Sequence, residues 1–90
     1  MKWQRLRPDK APFVVTRTGV RKMAAGHVWL GYADSNWRFL VFEDADGWVA
    51  NYDSIQRREA VGPFGSLEQA QDWCEARWAV RQVAALRGAA

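Results

Sequence analysis

Ninety residues, 49% of them hydrophobic and six of them tryptophan, predict one folded domain over 1–90, with room for a sheet-and-helix core but none for a catalytic cleft between domains. A single cysteine, Cys74, excludes an internal disulfide and a multi-cysteine zinc site, and fits a reducing cytoplasm. The net charge of +3 leaves nucleic acid and acidic partners open, and no apolar run approaches the roughly 20 residues of a membrane span.

Residues 1–12 carry two prolines and five charges around Trp3 and Leu6, the pattern of a basic N-terminal arm. No apolar stretch of a signal peptide shows there, so a cytoplasmic protein is expected. The arm and residues 13–22 together make a basic front. Lys2, Arg5, Arg7, Lys10, Arg17, Arg21 and Lys22 stand against Asp9 alone up to residue 22. An antiparallel sheet is expected over 13–55. Phe13 to Arg17 is β-branched and bounded by Pro12 and Gly19, a short first strand. Val20 to Ala25 fits strand, turn or one helical turn. His27 to Ala33 alternates as a strand, with Val28, Leu30 and Tyr32 on one face and His27, Trp29 and Gly31 on the other. Asp34-Ser35-Asn36 is a turn by composition.

The central hairpin runs from Trp37 to Ile55. Asp44-Ala45-Asp46-Gly47 suits a three-residue loop, with Gly47 in the left-handed conformation that glycine alone adopts cheaply. That loop pairs Asp44 with Trp48. It then puts Phe42 with Ala50, Leu40 with Tyr52 and Arg38 with Ser54 on one face. The other face receives Glu43 with Val49, Val41 with Asn51, Phe39 with Asp53 and Trp37 with Ile55. A one-residue slip exchanges these sets. The row Trp37, Phe39 and Val41 is either covered or open as a binding face. The hairpin is also acidic: between residues 23 and 54, Arg38 stands against Asp34, Glu43, Asp44, Asp46 and Asp53.

Gln56 to Val61 should lie at the surface, and Gly62-Pro63-Phe64-Gly65 should stop any strand. Ser66 then caps a helix over 66–87, with Gln69 three residues on as a capping box requires. On a 100° wheel Leu67, Ala70, Trp73, Cys74 and Trp78 form one apolar face, and its continuation meets Arg77 and Arg81. Ala76, Ala79, Val80, Val83 and Leu86 build a second patch nearly opposite. A helix of this length overhangs its sheet, so that patch suits a weak homodimer unless the N-terminal arm folds back over it through Trp3 and Leu6.

Little here points to chemistry. His27 is a lone imidazole, Cys74 reads as a buried inert thiol, and the acids of 43–46 lack the later carboxylate of a calcium loop. No phosphate-binding glycine loop, nucleophile elbow or metalloprotease motif occurs. The expectation is no enzyme, no cofactor and no metal.

Trp37-Arg38-Phe39-Leu40-Val41-Phe42, Asp46-Gly47-Trp48 and Gly62-Pro63-Phe64-Gly65-Ser66-Leu67-Glu68-Gln69-Ala70 resemble a pattern of small uncharacterised phage and actinobacterial accessory proteins. In that pattern a tryptophan-rich hairpin is followed by Gly-Pro-Phe-x-Ser/Thr-Leu and a helix. The resemblance covers about half the chain, implies a fold and a mobile-element origin, and carries no catalytic residue. The fold expected is α+β, an antiparallel sheet of three to four strands with one long C-terminal helix on one face. The leading function is nucleic-acid binding through Lys2, Arg5, Arg7, Arg17, Arg21 and Lys22, helped by exposed Trp37 or Phe39. The alternative is a protein-interaction module, such as a modulator of a host protein, using the Trp37, Phe39 and Val41 face.

Overall fold

A computed structural model describes residues 1–10, 13–16, 19–22, 26–34, 37–54 and 58–89. Chain order is β1 (Lys2–Leu6), a 3₁₀ turn (Pro8–Lys10), β2 (Val14–Thr16), β3 (Gly19–Arg21), β4 (Val28–Asp34), β5 (Trp37–Asp44), β6 (Gly47–Ser54), β7 (Arg58–Phe64) and α1 (Leu67–Ala89). The class is α+β. Five strands form one antiparallel sheet in the order β1-β4-β5-β6-β7, and β2 and β3 pair as a separate two-stranded ribbon. The sheet is thus wider than the three to four strands expected.

Two of the added strands come from segments whose local signals pointed elsewhere. The expected arm supplies β1, which pairs with β4 from Lys2 opposite Tyr32 to Leu6 opposite Val28. A glycine makes this possible. Trp3 lies opposite Gly31, and a Cβ added to Gly31 would stand 2.9 Å from the Trp3 ring and 2.8 Å from Met1 Sδ. The indole therefore rests on bare backbone, and its Nε1–H donates to Glu75 Oε1 of α1 at 3.3 Å. Strand β7 in turn runs through Gly62 and Pro63 to Phe64 instead of stopping before them. Proline lacks an N–H, yet it is tolerated because β7 is an edge strand and the pairing shifts there, Trp48 with Phe64 and then Ala50 with Val61.

The hairpin register is one residue away from the sequence-based expectation. Asp44 pairs with Gly47, so Ala45 and Asp46 alone form the turn. Gly47 does take a positive φ, +138°, but as a strand residue; a Cβ there would meet the Phe64 carbonyl oxygen at 2.8 Å. The slip leaves the β5 faces as expected and exchanges those of β6. Val41 now faces Ala50, and Phe39 faces Tyr52; Leu40 faces Asn51, and Phe42 faces Val49. Ile55, the expected partner of Trp37, lies outside the described residues.

This register sorts the core by side. Toward α1 lie Phe39, Val41, Ala50 and Tyr52 with Ala70 and Cys74, and all six tryptophans pack around them. Away from α1 lie Val28, Leu30, Leu40 and Phe42, closed by Val14 of the β2–β3 ribbon. Each fully buried large side chain contributes about 1.5–3 kcal/mol, so both layers matter. The ribbon is also held by a buried amide. Asn51 accepts from the Val15 N–H at 2.7 Å and donates to the Val15 carbonyl at 2.8 Å, imitating a neighbouring strand. Helix α1 starts as the sequence indicated. The Gln69 N–H donates to Ser66 Oγ at 3.1 Å, and Gln69 Oε1 accepts from the Gly65 N–H at 2.9 Å. Its apolar face enters the core through Leu67, Ala70, Trp73, Cys74 and Trp78.

Candidate functional site

The alternation of β1 divides the basic front. Leu6 belongs to the layer away from the helix and Trp3 to the helix layer, so Lys2 and Gln4 face away from α1 while Arg5 stands on the helix side. Arg5 Nη2 lies 3.4 Å from His27 Nε2, beside a groove of about 470 Å³ that Trp29, Glu43 and Trp48 also line. Arg7 pairs with Asp9 at 3.6 Å, an exposed contact of little energetic weight. Lys22 sits 5.7 Å from the centroid of the Phe13 ring. Arg17 lies outside the described residues, and so does the side chain of Arg21. Among the described cations, Lys2 and Arg5 therefore stand on opposite sides of the sheet.

The aromatic row is covered. Phe39 and Val41 are fully buried, because the helix packs on the face that carries them. Trp37 is half-buried and stacks on Tyr52 with ring centroids 5.8 Å apart and planes 7° from parallel. The guanidinium of Arg81 lies 4.2 Å over Trp37, and that of Arg77 lies 5.4 Å over Tyr52. The two arginines that interrupted the apolar stripe thus cap an aromatic stack, an arrangement worth about 0.5–2 kcal/mol per contact. A row open to ligands, as the sequence allowed, is corrected to a helix-covered core face.

Two other aromatics are open, and periodicity alone concealed them. Tyr32 is 58% exposed and Phe13 is 55% exposed. Tyr32 shares its strand face with the buried Val28 and Leu30, which suggested core. Its exposure follows from its place near the strand end, beyond the layer that Val14 closes. Across the sheet Lys2 pairs with Tyr32 and Tyr32 with Arg38, so the three stand in one row on the face away from α1. The β2–β3 ribbon, with Phe13 and Lys22 side by side at its open end, packs on that same side. Acids are not absent from this side: Asp53 stands opposite Arg38 on β6, and Asp44 shares the face away from α1 at the far end of β5. Glu43 alternates onto the helix face, and five residues of strand, about 17 Å, separate it from Arg38.

Burial pushes the Cys74 thiol up to about 12, with the charge of Glu75 adding to the shift. The sulfur is fully buried, and its position in the helix face makes it a packing group. Among the described residues no three His, Cys, Asp or Glu side chains converge as a metal cage would need, and no helix is long and apolar enough to cross a membrane.

The second helical patch is open to solvent. Val80 is 64% and Val83 49% exposed, and Ala76 and Ala79 are exposed beside them. The side chain of Leu86 lies outside the described part. Trp3 and Leu6 are engaged in the two core layers, so the N-terminal segment does not fold back over this patch as the sequence allowed. No protein-family model, curated protein or solved structure matches the chain.

Proposed function

We propose that the protein binds single-stranded nucleic acid on the sheet face away from α1, acting by binding and without a cofactor. The supporting observation is the row Lys2, Tyr32 and Arg38. An exposed ring lies between two cationic positions on the strands either side of it, with Asp53 next in the row beyond Arg38. Bases of any identity stack on such a ring, while neighbouring ammonium and guanidinium groups meet the phosphates. Phe13 with Lys22 above it repeats the pairing of ring and cation on the ribbon, on the same side of the sheet. In this reading Lys2 and Lys22 are retained from the basic front, Tyr32 and Phe13 replace Trp37 and Phe39 as the stacking groups, and Arg5 belongs elsewhere.

Fluorescence anisotropy with labelled 20-nucleotide DNA and RNA of mixed sequence tests it. Affinity should fall with salt, at about −0.7 in log–log slope for each phosphate contact. Tyr32→Ala should weaken binding by at least fivefold, since one stacked base is worth about 1–3 kcal/mol. Lys2→Glu should flatten the salt slope. Absence of binding at low salt, or binding indifferent to Tyr32→Ala, would refute the reading.

A further inference from the structure

A separate surface lies on the opposite side of the molecule. Among the described side chains of α1 the last to enter the core is Trp78, and the helix continues to Ala89. At 1.5 Å per residue its 23 residues span about 34 Å, against about 27 Å for the eight-residue strand β5 beneath it. The overhanging part exposes Val80 and Val83, with Ala76, Ala79 and Ala84 exposed around them. Beside this strip is a groove of about 480 Å³, bounded by Trp37, Trp78, Val80 and Ala84 and flanked by Arg77 and Arg81.

The arginines decide what fits. Each guanidinium is held over a ring, which fixes the group while leaving its N–H edge available for an acceptor. Neither makes an ion pair or hydrogen bond with any described residue, and no acid is among the described residues lining the groove. Two prepositioned positive charges, one helical turn apart, thus border an exposed apolar strip. We propose that this surface docks an acidic amphipathic helix of another protein. The partner's apolar side lies along Val80 and Val83, and its carboxylates meet Arg77 and Arg81. Alanines along the strip allow a helix to come close, at an interaxial distance near the short end of the usual 8–10 Å. A second copy of this chain is a poorer occupant, because it brings the same two arginines and its own net charge of +3 to the contact.

The probe is a synthetic 21-residue amphipathic helix of leucine and glutamate, with a leucine–lysine counterpart of the same pattern and a 20-nucleotide single-stranded DNA as controls. Backbone amide shifts of the full chain report where each binds. The acidic peptide should move the amides of residues 76–84, and Arg81→Gln should weaken it about tenfold while Arg81→Lys restores part of the loss. Val80→Glu, at an exposed position, should abolish binding with an unchanged far-ultraviolet circular dichroism spectrum. Four outcomes overturn the proposal. These are no shift along 76–84 with the acidic peptide at millimolar concentration, equal binding of the lysine peptide, shifts there with the oligonucleotide alone, or a molecular mass that doubles with protein concentration and falls back in Val80→Glu.

Discussion

Replacing Asn51 with leucine tests how the ribbon is attached. The side chain is fully buried, and its amide makes two short bonds to the backbone of Val15, at 2.7 and 2.8 Å. Leucine keeps the branched shape and the number of heavy atoms but offers neither acceptor nor donor. The Val15 N–H and C=O are then left against an apolar group, at about 1–3 kcal/mol each. The expected loss is about 2–6 kcal/mol, a large part of the 5–15 kcal/mol typical of a whole domain. Asn51→Asp should cost more at neutral pH. It retains an acceptor for the N–H but turns a negative charge toward the carbonyl in a site without water access. Urea unfolding gives the totals, and hydrogen exchange at Val15 shows whether the ribbon opens before the sheet. A leucine variant within about 0.5 kcal/mol of wild type, with Val15 still protected, would show that the amide does not hold the ribbon.

Other substitutions address the remaining joints. Gly47→Val should destabilise by at least about 1 kcal/mol in urea unfolding, since its φ of +138° disfavours a side chain and a Cβ would overlap the Phe64 carbonyl. Gly31→Ala should displace the Trp3 ring and free β1, seen as lost amide protection from Trp3 to Leu6 with the centre of the sheet intact. Cys74 should resist thiol reagents in the native protein and react only on unfolding. Its raised folded pKa also gives a pH signature. The contribution is complete below the ordinary thiol value near 9 and declines as pH rises toward about 12, because the unfolded chain ionises first. The decline reaches about 1.4 kcal/mol per pH unit at most, and Cys74→Ala should flatten it in thermal melts.

The parts of this fold that were legible in the sequence are those that local chemistry determines. Ser66 and Gln69 start α1 through hydrogen bonds within one turn, and the 3.6-residue spacing of Leu67, Ala70, Cys74 and Trp78 settles which side is buried. The strand identity of 37–44 and 47–54 follows from their β-branched and aromatic content. What escaped depends on distant residues. The register turned on whether Gly47 sits in the loop or in the strand, and the close approach of Phe64 from β7 accompanies the strand position. Trp3 gave no periodic signal, because its place is created by Gly31 at the far side of two turns and by Glu75 on the helix. Asn51 looked like an ordinary polar position in a strand, and only the Val15 backbone gives it a reason to be buried. The candidate site was half visible for the same reason. Composition flagged the cations, while burial by α1 withdrew Phe39 and Val41 and the limited reach of the ribbon left Tyr32 open.

Backbone amide shifts during titration with single-stranded DNA at low salt test the proposed binding face most directly. Changes should concentrate at Lys2, Gln4, Tyr32 and Arg38 and on the ribbon near Phe13 and Lys22, with residues 76–84 of α1 unmoved. Changes confined to α1 or to the acidic turn at 43–46, or none at all, would contradict binding on that face.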